Sequence, residues 1–264
     1  MNKLIIDCHR HLSIEKENKT YESAAKALLL DMKENRISKA VIIADNVSNS
    51  GTADIEILLK IFKDNSKILL IGAVNPFDQP KDKLDKIEKL LLEKKIIGLK
   101  LYNGHDKIYP TDDRCLSTYE LCDRYGVPVM MHTGANSGDF DVAKFNDPKM
   151  IMDISKKFPK LKIVISHYYW PLLEYCYEVT TGALNIFFDT SALADKEVID
   201  KSGGMQKVKD ILEKTIRDQK GSILFGTDYG MCKTKDHINL INSLEIAEYL
   251  KDRVYSENFL DLYK

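Results

Sequence analysis

Net charge, cysteine pairs and long apolar runs are what this chain lacks. Its 39 basic and 40 acidic side chains leave a formal charge of −1, so the overall balance carries neither a nucleic-acid footprint nor a polybasic membrane surface. No apolar stretch approaches the roughly 18 residues of a membrane span, and Met1-Asn2-Lys3-Leu4-Ile5-Ile6 meets Asp7 too soon to form a signal-peptide core; a cytoplasmic location is the expectation. The five cysteines, Cys8, Cys115, Cys122, Cys176 and Cys232, form no C-x-x-C pair. That argues against a disulfide framework or a structural zinc knuckle and for reduced thiols. Neither G-x-x-x-x-G-K nor G-x-G-x-x-G is present, which removes the usual phosphate-cradling turns. Only 13 glycines and 7 prolines occur among 264 residues, while 44% hydrophobic and 30% charged residues describe a globular chain with a substantial core.

What is present is a repeated alternation. Dividing 264 by 8 gives 33, about the length of one strand-helix unit. Short, near-continuous apolar runs stand at Leu4–His9, Lys39–Ala44, Lys67–Val74, Ile96–Tyr102, Pro128–His132, Lys162–His167, Asn185–Ser191 and Ser222–Asp228. This is the pattern of parallel strands covered on both faces. Between them, three- and four-residue apolar spacing predicts helices at Tyr21–Asn35, Asp54–Asn65, Asp82–Lys95, Asp112–Tyr125, Asp147–Phe158, Pro171–Val179, Met205–Gln219 and Asp236–Leu250, with a short last helix over Ser256–Tyr263. Eight such units predict an α/β fold of the (β/α)8 TIM-barrel type, with residues 1–264 forming one domain. An open doubly wound sheet would instead have a glycine-rich turn after the first strand, where this chain has His9-Arg10-His11.

Chemistry in such a barrel sits at the C-terminal ends of the strands. Four of the six histidines, His9, His11, His132 and His167, fall there, with Asp228 at the end of the eighth strand. Alternate strand residues face the same way, so His9 and His11 point together into the mouth while Arg10 points away. Two imidazoles from strand one, a third from strand five and a carboxylate from strand eight form a set suited to zinc or another borderline divalent ion. By the same parity Asp7, one pleat deeper than His9, and Asp189, beneath Ser191, are expected to orient ligands from behind.

The strings IIDCHRH, IGLKLY, PVMMHTG, IVISHYYWP, NIFFDTSAL and ILFGTDYG, in this order and spanning nearly the whole chain, resemble the successive motifs of the amidohydrolase superfamily, and within it the amidohydrolase-2 branch of metal-dependent hydrolases and decarboxylases. The resemblance implies that His9, His11, His132 and Asp228 hold one divalent ion, zinc or manganese. It also implies that His167 stands beside the reacting water or the substrate, orienting the one or polarising the carbonyl of the other, and that Asp228 moves the proton. In binuclear relatives a lysine placed like Lys100 is carboxylated and bridges two metals. The alternative for Lys100, preferred for this branch, is an inward cation that neutralises the site or holds an anionic substrate.

Around the site, Tyr102, His105 and Trp170 are candidate substrate contacts, with Asn75, Asn103 and Ser191 as further specificity positions. Tyr168-Tyr169-Trp170 puts the only tryptophan next to the mouth, and Thr133–Asn146 is the longest connection and a candidate lid. The expected activity is hydrolysis of a small-molecule amide, lactone or ester by a metal-activated water. The alternatives are non-oxidative decarboxylation on the same ligands and a non-catalytic metal-binding barrel. Decarboxylation needs a cation for the carboxylate, and no arginine except outward-facing Arg10 stands at a strand end. Units of about 33 residues leave no room for a cap domain, so a small ligand is expected, covered by the loop after strand five or by a second copy in a homodimer.

Overall fold

The computed structural model describes residues 3–15, 17–48 and 50–264; Met1 and Asn2 of the N-terminal run, Lys16 and Asn49 lie outside the described residues. Eight parallel strands follow one another around a single sheet: β1 (Ile6–Arg10), β2 (Lys39–Ile43), β3 (Ile68–Ala73), β4 (Leu99–Leu101), β5 (Val129–Met131), β6 (Ile163–Ile165), β7 (Ile186–Asp189) and β8 (Ile223–Leu224). Closure is made by the residues beyond β8. Cys8 N donates to Phe225 O (2.8 Å), Asp228 N to His9 O (2.9 Å) and His11 N to Tyr229 O (2.9 Å), which leaves β1 no free edge along this stretch. The (β/α)8 barrel expected from the alternation is the observed fold.

Strand parity divides the core in two. Ile6, Cys8, Val41, Ile43, Ile71, Met130, Val164 and Leu224 fill the barrel interior. Their strand neighbours, among them Ile42, Leu99, Leu101, Val129, Met131, Ile163, Ile165 and Phe188, pack outward against the helices. The last helix, Asn258–Leu262, plugs the floor: Phe259 and Leu262 join the interior cluster, and Asn258 Nδ2 donates to Ile223 O at 2.8 Å. Apolar side chains thus seal this end of the barrel. None of the five cysteines is paired, and among the described residues no helix is long and apolar enough to cross a membrane.

Differences from the expected elements have local causes. The helix expected over Asp236–Leu250 is two helices, Thr234–Asn242 and Glu248–Asp252, because Glu213 of the neighbouring helix accepts the Glu245 amide at 2.6 Å and Ser243 Oγ donates back to Leu240 O. β6 ends at Ile165, after which His167, Tyr168 and Tyr169 all take left-handed backbone angles of φ 59°, 52° and 57°. β8 likewise ends early, and Asp228 sits at φ 59°. Such conformations cost about 1–3 kcal/mol each and persist where the surroundings over-determine them. Here the hydrogen bonds His167 N to Asp189 Oδ1, Tyr169 N to Thr133 Oγ1 and Asp228 N to His9 O hold them.

One expectation about parity fails. Asp7 pairs with Ala40 and Arg10 with Ile42, three steps on β1 against two on β2, so a bulge lies between them. Asp7 therefore faces the helix layer with Arg10, to whose Nε it is bonded at 2.6 Å, and it does not touch the His9 ring. It supports the site through the backbone instead, accepting from His9 N (3.2 Å) and Thr227 N (3.1 Å).

A candidate metal centre at the mouth of the barrel

His9 and His11 project from β1 and the residue after it, and Asp228 turns back toward them from beyond β8. His9 Nε2 and His11 Nε2 are 3.2 Å apart, and each lies 3.5 Å from Asp228 Oδ1. A tetrahedral ion with ligand bonds of about 2.0–2.2 Å has ligand-to-ligand edges of about 3.3–3.6 Å, so this triangle has the size of one coordination face. Its chemistry agrees. Burial lowers the ring pKa of both histidines, that of His11 to about 3 with Lys100 adding to the effect, so both are neutral and can offer lone pairs. Burial also pushes the Asp228 carboxyl up to about 7, which a cation at the triangle would reverse. The residues fit a divalent ion.

Behind the triangle stands Asp189, the last residue of β7. Its Oδ2 receives His9 Nδ1 at 2.7 Å with both side chains fully buried, which turns His9 Nε2 toward His11 and Asp228. Asp189 lies next to Ser191, whose amide it accepts, and the ring it holds is that of the first histidine. His9, His167 and Asp189 also lie close enough to hold an ion, but the bond between His9 and Asp189 already occupies that space.

Gly226 lets these groups meet. A Cβ there would stand 3.0 Å from His9 Cβ, 3.3 Å from Cys8 Sγ and 3.4 Å from Asp189 Cβ. Gly226→Ala is expected to destabilise the protein by about 1–3 kcal/mol through overpacking and, by pushing His9 off its line, to weaken ion binding about tenfold. Competition against a fluorescent chelator reads the second effect; unchanged affinity would mean that His9 has freedom to adjust.

The remaining candidates are gathered less tightly. His132, one residue past β5, packs at steep ring angles between His105 and His167, with ring centroids at 4.3 and 5.0 Å, but its Nε2 is engaged with Asn136 Oδ1 at 2.9 Å. It is not part of the triangle, and ligation through Nε2 requires that contact to open. His167 is 5% exposed; its Nδ1 meets Ser191 Oγ at 2.8 Å and stands 4.0 Å from Asp228 Oδ2. Lys100 is fully buried in the interior below the mouth, with Nζ donating to Ser166 Oγ at 2.8 Å, and desolvation lowers its pKa to about 8 against the pull of Asp189 and Asp228. Tyr102 is largely buried and its hydroxyl is committed to Ala44 O (2.8 Å). His105 is exposed at the rim. Trp170, expected at the mouth, is 5% exposed and packs edge-on against Phe140 of the loop after β5, a loop it also anchors by accepting the Ala135 amide.

Sequence reasoning missed Asn136, Asn146 and Ser166. Asn136 Nδ2 also reaches His105 Nδ1 at 3.3 Å, while Asn146 ties the base of the loop by bonding both Gly134 N (2.9 Å) and Gly134 O (3.2 Å). Nothing in the local sequence separates these asparagines from ordinary loop residues.

No curated protein matches the chain by sequence. Solved structures share the fold. An uncharacterised TIM-barrel protein from Bordetella bronchiseptica superimposes with a TM-score of 0.79 at 19% identity, covering 98% of this chain and 97% of its own. A probable 2-pyrone-4,6-dicarboxylic acid hydrolase from Acinetobacter baumannii gives 0.69 at 14% identity over 100% and 99%. A 5-carboxyvanillate decarboxylase from Novosphingobium aromaticivorans, complexed with manganese and a nitrobenzoic acid, gives 0.68 at 12% identity over 99% and 96%. The sequence model of the amidohydrolase family, second branch, matches residues 6–264, nearly the whole chain, and the protein belongs to that family.

Proposed function

We propose that the protein is a metal-dependent hydrolase of a small, uncharged amide, lactone or ester. The observation that carries the reading is the triangle of His9 Nε2, His11 Nε2 and Asp228 Oδ1 at the open end of a barrel whose floor is sealed. These three residues hold one divalent ion, zinc or manganese, with His132 as the fourth ligand once its Nε2 leaves Asn136. When bound, the ion supplies Lewis acidity, lowering the pKa of a water and polarising a carbonyl. Asp228 Oδ2, 4.0 Å from His167 Nδ1, faces His167 and serves as the proton acceptor that later returns the proton to the leaving group.

Hydrolysis is favoured over decarboxylation by the disposition of cations. Of the six arginines, Arg10 is bonded to Asp7 and Asp31 on the outer side of β1, and Arg114, Arg124, Arg217 and Arg253 are in ion pairs on the surface. Arg36, exposed between the first helix and β2, is at the opposite end of the barrel. Lys100 is directed to Ser166. At the rim, Asp106 is bonded to Asn46 (2.7 Å), its carboxyl pushed up to about 6 by burial, which offers no welcome to a carboxylate.

Metal-reconstituted protein incubated with panels of lactones, amides and esters, and separately with aromatic and unsaturated carboxylic acids, tests the reading. Water-consuming cleavage of a neutral substrate is expected. Release of carbon dioxide would establish the decarboxylase instead, and silence on both panels with the ion bound would favour a non-catalytic barrel.

A further inference from the structure

A carboxylate has only acceptor atoms, so its partners bring the protons. Asp189, fully buried, receives four: His9 Nδ1–H on Oδ2, and on Oδ1 the amides of His167 (3.0 Å) and Ser191 (3.1 Å) together with the Ser191 hydroxyl. Having given its one proton to Asp189, Ser191 Oγ has only lone pairs left for its other neighbour, His167 Nδ1 at 2.8 Å. The ring proton of His167 must then be on Nδ1. Burial and the adjacent histidines keep this ring neutral, so the choice of nitrogen decides what it can do.

We propose that Asp189 and Ser191 are paired positioning residues that fix the tautomers of two histidines at once, holding His9 as Nδ1–H directly and His167 as Nδ1–H through the serine hydroxyl. This rests on the ion-dependent reading of the site. His9 Nε2 thereby offers its lone pair to the triangle. His167 Nε2, which makes no hydrogen bond among the described residues, offers its lone pair to whatever occupies the mouth. A ring in that form accepts a hydrogen bond from a water through Nε2 and so holds the water in place, leaving the proton transfer to Asp228; it has no proton on Nε2 with which to polarise a carbonyl. Of the two roles the resemblance left to His167, the geometry selects the orienting of water.

The test is the two-bond 1H–15N spectrum of metal-free protein labelled with 15N-histidine, which reports the nitrogen bearing each ring proton. His9 and His167 are both expected as Nδ1–H. Ser191→Ala is expected to move His167 toward Nε2–H, leave His9 unchanged and keep the zinc dissociation constant within about threefold, with Ser191→Thr restoring the His167 signature. Asp189→Asn is expected to disturb both rings and weaken zinc binding about tenfold or more. A wild-type His167 protonated on Nε2 overturns the proposal whether or not the variants fold, and so does a His167 signature indifferent to Ser191→Ala. Both tautomers as proposed in a protein that binds no zinc would uphold the pairing and overturn the ion-dependent reading.

Discussion

Asp228→Asn is expected to lower turnover by about 10³-fold or more while leaving the barrel folded. The carboxylate has two duties in the proposed site, closing the ion triangle through Oδ1 and exchanging a proton through Oδ2, and the isosteric amide performs neither well. Metal-free stability should not fall. Burial already pushes the Asp228 carboxyl up to about 7, which means that its ionised form is disfavoured in the folded protein, and an uncharged amide of the same shape removes that burden. Steady-state kinetics with the identified substrate, together with thermal unfolding of the metal-free forms, measure the two effects separately. Full retention of turnover would remove Asp228 from the chemistry.

The largest effect on stability is expected from Arg10→Met, a loss of about 3–5 kcal/mol. Arg10 is fully buried between β1 and the helices, where Nε donates to Asp7 (2.6 Å), Nη1 to Asp31 (2.8 Å) and Nη2 to Thr234 Oγ1 (2.9 Å), with the guanidinium 4.8 Å from the Tyr229 ring. Methionine fills much of the space but leaves Asp7, itself fully buried, without its counter-charge. Because Asp7 also binds the Thr227 amide and hydroxyl (3.1 and 2.6 Å), the seam that brings the Asp228 segment to β1 should loosen as well, and ion affinity should fall with stability. The double variant Asp7→Asn with Arg10→Met should recover part of the loss, since the two residues act as one unit. Urea denaturation reads both; a loss under about 1 kcal/mol would show that water reaches the pair.

The barrel was legible because each strand is covered on both faces and therefore reads as an apolar run, and because closing eight such strands leaves no edge. The grouping of His9, His11 and Asp228 was legible for a related reason: histidines and an aspartate recur at the ends of otherwise apolar strands, and in a closed barrel those ends converge. What escaped notice depends on backbone detail. The bulge that sends Asp7 outward adds one residue to β1 without any proline or glycine to announce it. The left-handed turn at His167–Tyr169 has no glycine either, and it sets Trp170 edge-on against Phe140 of the loop after β5. Asn136, which engages His132 from four residues along, depends on the path of a loop, and loop paths follow from tertiary contacts that no local pattern encodes.

The central claim is that one divalent ion sits among His9, His11 and Asp228. Metal content after reconstitution with zinc or manganese and exhaustive dialysis, compared between the wild type and a His11→Ala variant, tests it most directly. About one equivalent per chain in the wild type and essentially none in a folded variant is the expected result. No ion retained by the wild type, an equivalent retained by the variant, or two equivalents per chain would contradict it.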